Sequence, residues 1–597
     1  MPRKITICLL VTALLITGLF TACGKTTSTA TPTTTPVIPA TTPVTPTTTP
    51  ATPTTAPTPT ITAKANWWDK FGQPKYGGTL RISTSGLNQV FFDPYLQSGF
   101  GGYSVFAISY ENPFYTNWYV DRDIQPLLTT QENNLSLVQG ALLDTWTMPD
   151  PTTVVAHVRQ GVHWWNKPPA NGRQLVASDI VAHYTRMMGW GGGPPNFIFA
   201  STLSEIESVT APDEQTVVFK LKHANFVAMC QTFIEQVAST KIEYPLGQDV
   251  MDYQHMIGTG PYWVKEYVPG ASITFERNPD YWAFDERYPG NRLPYFDEVR
   301  VIAIPDMTTA ISALRSGQLD ILSGLDWRQA DTLAKSNPEL LQSHVLTMGY
   351  GIQCRVDQPP FNDINLRKAL QMSINLPLLA QTYYGGTVSP EPAGIGIPSD
   401  PGWYTPFSEW PQDLKEEYTY NPEEAKKLLA EAGYSSQNPL KFEVVAEATA
   451  NLEQLQILQS MFKEVGIEMS IHTVDPGAIF PYCAQGLHQT IYFYTTGLAL
   501  PKQISVLWRH SKRSTMNFLH NEDATLDAMI ESFFTTTTEE QAKQVFLEVE
   551  QYCLRQHYDI LTVCPQSYTF WSPNLMGYTG EATLLNISNW ISKLWKK

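Results

Sequence analysis

The alternation of hydrophobic and polar positions predicts short strands and helices along the chain from about residue 76 onward. "YGGTLRIS" alternates after a glycine turn and predicts a strand, and "TTVVAHVRQGVHWWN" predicts two strands around a turn at Gly161. "VASDIVAHYTRMMG" places an apolar stripe at helical spacing after Ser178, which we expect to be the N-cap of a helix.

The pattern changes after Asp306, where helices alternate with strands. "DEVRVIAIPD" is an apolar run typical of a buried strand, and "MTTAISALRSGQLDIL" predicts a helix followed by a short strand. "NPEEAKKLLAEAGY" begins with the cap-like Asn421, has proline in its first turn, and carries acids early and lysines later. This alternation predicts an α/β fold.

The N-terminal segment, from Met1 to Ala22, differs from the rest of the chain. Arg3 and Lys4 precede an uncharged apolar run, which predicts a secretory signal peptide. "LFTAC" then resembles a bacterial lipobox, in which the cysteine is lipidated and becomes the new N-terminus; that cysteine is Cys23. An uncleaved signal anchor with an incidental cysteine is the alternative.

Residues 23–66 are composed almost entirely of Thr, Pro and Ala after the cysteine. A segment with so few large apolar side chains cannot bury enough surface to fold, and frequent proline favours extended polyproline II. We therefore expect Cys23 to anchor the protein to the membrane through lipid and residues 23–66 to act as a disordered tether.

Charge and motif content exclude several functions. The formal net charge of −16 argues against nucleic-acid binding. None of the common catalytic, nucleotide-binding or calcium-binding motifs occurs, and His157, His163 and His183 lack the spacing of metal ligands. The sequence thus predicts no catalytic residue, no metal site and no cofactor, and it favours binding over turnover.

Five cysteines remain after the signal and the lipidated residue, and no two form a C-x-x-C pair: Cys230, Cys354, Cys483, Cys553 and Cys564. We expect buried thiols rather than a disulfide framework. One bridge, for instance between Cys553 and Cys564, stays open as an alternative.

Several motifs in order resemble the family-five extracellular solute-binding proteins, which include the dipeptide- and oligopeptide-binding lipoproteins of ABC importers. The strongest are "GTGPY" and "ERNPDYW", accompanied by "GGTLRIS", "ASDIVAHYTRMM", "PPFNDINLRKALQMSIN" and "AKKLLAEAGY". The resemblance implies a two-lobed periplasmic-binding-protein type II fold with an extra subdomain in lobe one. It also implies hinge closure around the ligand, in a monomer that serves importer permease subunits.

Placed on this chain, the resemblance implies these bounds: a signal peptide at 1–22, the tether at 23–66, lobe one at 67–305 with an inserted subdomain at about 95–200, lobe two at 306–561, and a C-terminal return to lobe one at 562–597. The first crossing between lobes is expected near residues 302–306. Gly258, Gly260, Asn278 and Tyr281 are expected to build the scaffold, and Arg367 to be an ion-pair partner that holds the fold.

The segment expected to face the ligand departs from the family pattern. Peptide binders of the family carry a Trp followed three residues later by an Asp, which pairs with the α-ammonium of the peptide. Here Tyr494 takes the Trp place and Gly497 the Asp place, with Pro501 supporting the register. No Asp or Glu occurs at residues 490–509, so a free-amine peptide anchored in the usual way is not expected.

The resemblance leaves the ligand open among a peptide or peptide-like compound, an oligosaccharide and a metal chelate. The residues that we expect to line the cleft are aromatic or polar: Trp403, Tyr404, Tyr494, Thr495, Thr496, Gly497 and Gln566. The expected location is extracytoplasmic, on the cell membrane. A surface adhesion or signalling receptor and a secreted enzyme are the rival classes.

Overall fold

The computed structural model describes residues 66–87, 92, 108–122, 135–190, 203–233, 244–245, 252–347, 349–396, 398, 402–448, 450–475, 478–494, 507, 509–511, 517–581 and 587–597. The chain divides into two compact units, Met1–Lys64 and Ala65–Lys597, and all described residues lie in the second unit. The predicted signal peptide and Cys23 therefore lie outside the described residues.

The strands of the described residues follow in chain order: β1 Thr79–Thr84, β2 Phe114–Thr116, β3 Val138–Gly140, β4 Leu143–Asp150, β5 Thr153–Val158, β6 Ile206–Thr210, β7 Thr216–Leu221, β8 Tyr262–Val268, β9 Ser272–Arg277, β10 Glu298–Ala303, β11 Ile321–Leu325, β12 Leu341–Leu346, β13 Tyr350–Cys354, β14 Leu440–Glu447, β15 Ile467–Val474, β16 Thr490–Tyr494, β17 Asp559–Leu561, β18 Gln566–Trp571, β19 Leu575–Met576 and β20 Trp595–Lys596.

The α-helices of the described residues are α1 Ala177–Met188, α2 Phe226–Phe233, α3 Met307–Arg315, α4 Trp327–Ser336, α5 Ile364–Met372, α6 Leu376–Thr382, α7 Gln412–Glu417, α8 Pro422–Glu431, α9 Leu452–Glu464, α10 Ile479–Ala484, α11 Ala524–Phe534, α12 Glu539–Gln556 and α13 Ile587–Ile591. None of them combines the length and the apolar composition that a membrane crossing requires.

Helix ends follow the capping chemistry of the sequence in most places. Asn421 caps α8 as expected, because its side chain accepts a hydrogen bond from the Glu424 amide. The expectation for α1 was wrong: the helix already starts at Ala177, so Ser178 lies inside its first turn. Asp179, the third residue of the helix, accepts a hydrogen bond from the Val176 amide at 3.1 Å. Its carboxylate thus gives the amide of the N-cap residue a partner.

Two large sheets carry the architecture. A seven-stranded sheet has the order β12-β18-β11-β1-β10-β9-β8, and a five-stranded sheet has the order β15-β14-β16-β13-β17. Within the first sheet β1 runs parallel to β10 and β11, while within the second β14 runs parallel to both β15 and β16. The first sheet is thus assembled from distant parts of the chain, whereas the second uses residues 350–561.

The expected first crossing at residues 302–306 is wrong. β11 and β12 follow that position, yet both pair with β18 in the seven-stranded sheet. The chain therefore passes to the five-stranded sheet only after β12, between Leu346 and Tyr350, and passes back between Leu561 and Gln566. The strand after α3 was predicted, but its apolar pattern does not say which sheet it joins.

A separate four-stranded antiparallel sheet, β4-β5-β7-β6, takes its strands from residues 143–221. With α1 and α2 it forms what we call the inserted unit, which extends past the bound of 200 expected for the subdomain. Trp165 attaches this unit to the segment before β8: its amide donates to Gly258 O and its indole N–H to Gly260 O, both at 3.0 Å.

All five cysteines outside the N-terminal region are free and buried, as the scattered spacing predicts. The alternative bridge between Cys553 and Cys564 is not formed.

Candidate functional site

The two connections between the large sheets lie side by side and are hydrogen-bonded to each other. The Thr347 amide donates to Pro565 O at 2.8 Å, and the Cys564 thiol donates to Thr347 O at 2.9 Å. The Thr562 hydroxyl donates to Tyr350 O. We call residues 347, 349 and 562–565 the crossover: two adjacent passages of the chain that are hydrogen-bonded to each other.

Both sheets turn the carboxyl ends of parallel strands towards the crossover. In the first sheet β1 and β10 end together, at Thr84 and Ala303, on the side where β18 begins. In the second sheet β14 and β16 run parallel, and the last residue of β16 pairs with Tyr350 beside the crossover. Ligands of open α/β sheets bind beyond the carboxyl ends of the strands, which places the candidate site between these two edges.

Two of the predicted site residues lie at these edges. Gln566 is the first residue of β18, is half-buried and accepts a hydrogen bond from the Tyr568 hydroxyl at 2.8 Å. Tyr494 is the last residue of β16. Thr495, Thr496 and Gly497 lie outside the described residues.

Trp403 does not take the predicted place in the cleft wall. The residue is 6% exposed, and its ring packs between Phe226, stacked at a centroid distance of 5.8 Å, and Phe546, edge-on at 5.8 Å. A tryptophan held on both sides by protein rings has no free face for a sugar or an apolar side chain. Its neighbour Tyr404 is half-buried, and burial raises its pKa, with Glu391, Glu409 and Glu550 adding to the effect.

The loop that carries Trp403 and Tyr404 is held by a buried carboxylate that the sequence analysis missed. Glu550 of α12 accepts hydrogen bonds from the amides of Gly396 at 3.1 Å and Thr405 at 2.8 Å. Burial raises the pKa of Glu550 to about 7, against the lowering effect of these two amides. Glu550 lies on the same helix face as Phe546 and Cys553, and this spacing in the sequence indicates that the carboxylate is buried.

His510, a described residue that follows β16 in sequence, bonds to a buried carboxylate. His510 Nε2 lies 2.8 Å from Asp559 Oδ2, and the Gln353 side chain donates to the same carboxylate. Burial would raise the pKa of Asp559, but His510, Arg509 and Gln353 outweigh it and lower that pKa. His510 is therefore held by the buried Asp559, as Tyr494 is held by the pairing of β16.

The motifs that resemble the family form scaffold, as expected. Glu111 is fully buried and accepts hydrogen bonds from Tyr281 Oη and Thr259 Oγ1, both at 2.7 Å, and from the Trp282 indole at 3.0 Å. A Cβ at Gly260 would collide with the backbone carbonyl oxygen of Ser109, so only glycine fits beside that chain. Burial raises the pKa of Glu111.

Arg367 also holds the fold, but within the described part of the chain it does so through backbone carbonyls and not through an ion pair. Its guanidinium donates to the backbone carbonyl of Gln556, at 3.0 and 2.8 Å, and to that of Phe361. Burial lowers its pKa.

Among the described residues no group of three or more His, Cys, Asp or Glu side chains is placed to hold a metal ion.

Residues 124–512 match the model of the bacterial extracellular solute-binding proteins, family 5. The chain belongs to this family. Among curated relatives, it is 26% identical over 360 residues to the periplasmic oligopeptide-binding protein OppA of Haemophilus influenzae, covering 56% of this chain and 63% of OppA. It is 24% identical over 380 residues to the dipeptide-binding protein of Escherichia coli, covering 60% and 67%. The match thus spans just under two thirds of the length of OppA.

Solved structures show the same fold at low identity. The periplasmic binding protein DppA of Helicobacter pylori, in complex with the peptide STSA, superposes with a TM-score of 0.70 at 19% identity, covering 87% of this chain and 98% of that one. AppA of Bacillus subtilis, in complex with a nonapeptide, gives 0.67 at 19% identity, covering 88% and 100%. NikA of Staphylococcus aureus, in complex with Ni(L-His)2, gives 0.64 at 18%, covering 85% and 97%. The fold is the two-lobed one of this family: the two large sheets are the lobes, and the crossover joins them.

Proposed function

We propose that the protein is an extracytoplasmic receptor that closes its two lobes around a peptide or peptide-like solute and delivers it to an ABC importer. The observation that carries the proposal is the crossover, because two bonded passages permit rotation of the lobes while the candidate site lies between the strand ends on either side. A ligand that contacts both lobes collects all of its contacts only when they close, so binding shifts the population towards closure.

The absence of a carboxylate at residues 490–509 bears on the ligand. Burying a peptide α-ammonium without an anionic partner is costly, so the proposed ligand is held by its backbone and carboxylate or has a blocked N-terminus. An oligosaccharide or a metal chelate is the second candidate, since neither requires the missing carboxylate.

The remaining parts of the proposal rest on the sequence. Cys23 follows a signal-like segment and precedes a Thr/Pro-rich tract, which supports lipid anchoring to the cell membrane. The lack of catalytic motifs and membership in a family of binding proteins support a role without turnover. The proposed partners are the permease subunits of the importer, which meet the receptor as a monomer.

A thermal-shift screen combined with small-angle scattering tests this function on the chain from Ala65 onward, which forms a compact unit of its own. The ligand classes are free-amine peptides, the same peptides N-acetylated, oligosaccharides and metal chelates. A class that raises Tm and also reduces the radius of gyration identifies a ligand that closes the lobes. Stabilisation by no class contradicts the proposal.

A further inference from the structure

The inserted unit touches the second lobe at a place far from the crossover in sequence. The amide of Phe226, the first residue of α2, donates to Thr536 O at 2.7 Å, and Asn225 Nδ2 donates to Phe534 O at 2.8 Å. Phe226 also stacks on Trp403. We call these five residues the interlobe contact; it uses groups of the protein alone and requires no ligand.

The two helix ends that meet here complement each other. The first amides of a helix and its last carbonyls have no partner inside the helix. The amide at the start of α2 is satisfied by a carbonyl beyond the end of α11, whose own last residue, Phe534, accepts from Asn225. Positive and negative ends of the helix dipoles thus face each other across the lobes.

α2 is hydrogen-bonded to the rest of the inserted unit, which is itself bonded to the first lobe. The side chain of Gln231 in α2 accepts from the Glu205 amide beside β6 at 2.7 Å. The inserted unit in turn bonds through Trp165 to the segment before β8, in the first lobe. Phe226 is only 3% exposed, since its ring is covered by Trp403 of the second lobe. Opening at the crossover would therefore have to separate this apolar and hydrogen-bonded contact.

We propose that the interlobe contact is a latch that stabilises the closed form without ligand and so sets how far the empty receptor opens. The inference rests on the proposed closure of the lobes but not on the identity of the ligand. When only a fraction of the protein is binding-competent, the apparent affinity falls by that fraction. A tenfold loss of closed protein thus weakens binding of any ligand by about tenfold.

Hydrogen–deuterium exchange on the ligand-free chain from Ala65 reads the latch directly. The Phe226 amide has no acceptor inside α2, so slow exchange there reports the bond to Thr536. We expect exchange at least about tenfold slower than that of an open amide. Exchange at the open rate in a folded sample overturns the proposal without any variant.

The variant Asn225→Asp breaks the contact while it keeps the helix cap, because one oxygen can still accept from the Ala228 amide. The other oxygen replaces a donor and faces both acceptors of Asn225 Nδ2, the Phe534 carbonyl at 2.8 Å and the Glu205 carboxylate of the inserted unit at 3.1 Å. Asn225→Asp combined with Glu205→Gln removes the repulsion inside the inserted unit and leaves the interlobe bond broken. Asn421→Asp is the matched control: the same substitution at the cap of α8, where the cap bond to Glu424 lies within the second lobe.

We expect Asn225→Asp to speed exchange in residues 226–229, to increase the radius of gyration and to weaken binding of any ligand found in the screen, with Asn421→Asp unchanged. A folded Asn225→Asp protein with wild-type exchange and wild-type radius contradicts the latch. That result overturns the latch but not the proposed receptor function. Conversely, if the Phe226 amide exchanges slowly but the protein binds no solute, the receptor function is overturned and the interlobe contact is retained.

Discussion

Two regions of this molecule differ in whether they carry a carboxylate. Around Glu111 in the first lobe, a fully buried carboxylate is surrounded by hydroxyl and indole donors from the most recognisable motifs of the chain. In the stretch that the sequence predicts to face the ligand, residues 490–509 carry no carboxylate at all. The motifs that identify the family thus build the frame, and we propose that the choice of ligand is made where the sequence departs from them.

The largest effect on stability is expected from removing the Glu111 carboxylate. Glu111→Ala leaves Tyr281, Thr259 and Trp282 without an acceptor and opens a cavity, so we expect a loss of about 3 kcal/mol or more in the free energy of unfolding. Urea unfolding measures it. Glu423→Ala, at a carboxylate whose side chain is 81% exposed, is the control and should stay within about 0.5 kcal/mol. A loss below about 1 kcal/mol at Glu111 would show that the carboxylate does not hold the frame.

A smaller effect is expected from pH at Glu550, which braces the loop of Trp403 and Tyr404. Its folded pKa of about 7 lies above the ordinary glutamate value, so its contribution to stability is present at low pH and is lost as pH rises through 7. We expect ionisation of Glu550 to lower the free energy of unfolding by about 2 kcal/mol between pH 5 and pH 8. Glu550→Gln, which cannot ionise, should flatten the profile by that amount, and equal slopes in both proteins would refute the assignment.

The smallest effect is expected from a substitution at Gly497, which the sequence predicts to face the ligand. Gly497→Asp supplies the carboxylate that the family pattern places there, so affinity for peptides with a free α-amine should rise by about tenfold. Isothermal titration with free and N-acetylated forms of one peptide measures it. Gly497→Asn adds similar bulk without charge and controls for shape. Equal behaviour of the two variants would mean that the ammonium is held elsewhere or not bound.

Local pattern was sufficient for much of the fold and insufficient for assembly. The helix at Asn421 and the strand before Asp306 follow from spacing and capping, which act within a few residues. The crossing was placed before α3 instead of after β12, because β11 and β12 join the first sheet by pairing with β18, a strand from near the end of the chain. An apolar strand does not encode its partner.

The site shows the same division. Gln566 begins β18 and Tyr494 ends β16, both beside the crossover, and their predicted contact with ligand stays a prediction. Trp403 was assigned to the cleft from its residue type, but Phe226 of the inserted unit covers its face. Glu550 lies on an apolar helix face, which indicates burial, but its amide partners come from the distant loop at Gly396 and Thr405 and cannot be predicted from local pattern.

Native mass spectrometry of the chain from Ala65, purified gently from a rich medium, tests the central claim most directly. The proposed function predicts one bound solute per chain that dissociates on denaturation and fragments as a peptide or peptide-like compound without a free α-amine. A bound peptide with an intact free α-amine would contradict the interpretation of Gly497. A bound solute that the protein converts to product over time would contradict the receptor role itself.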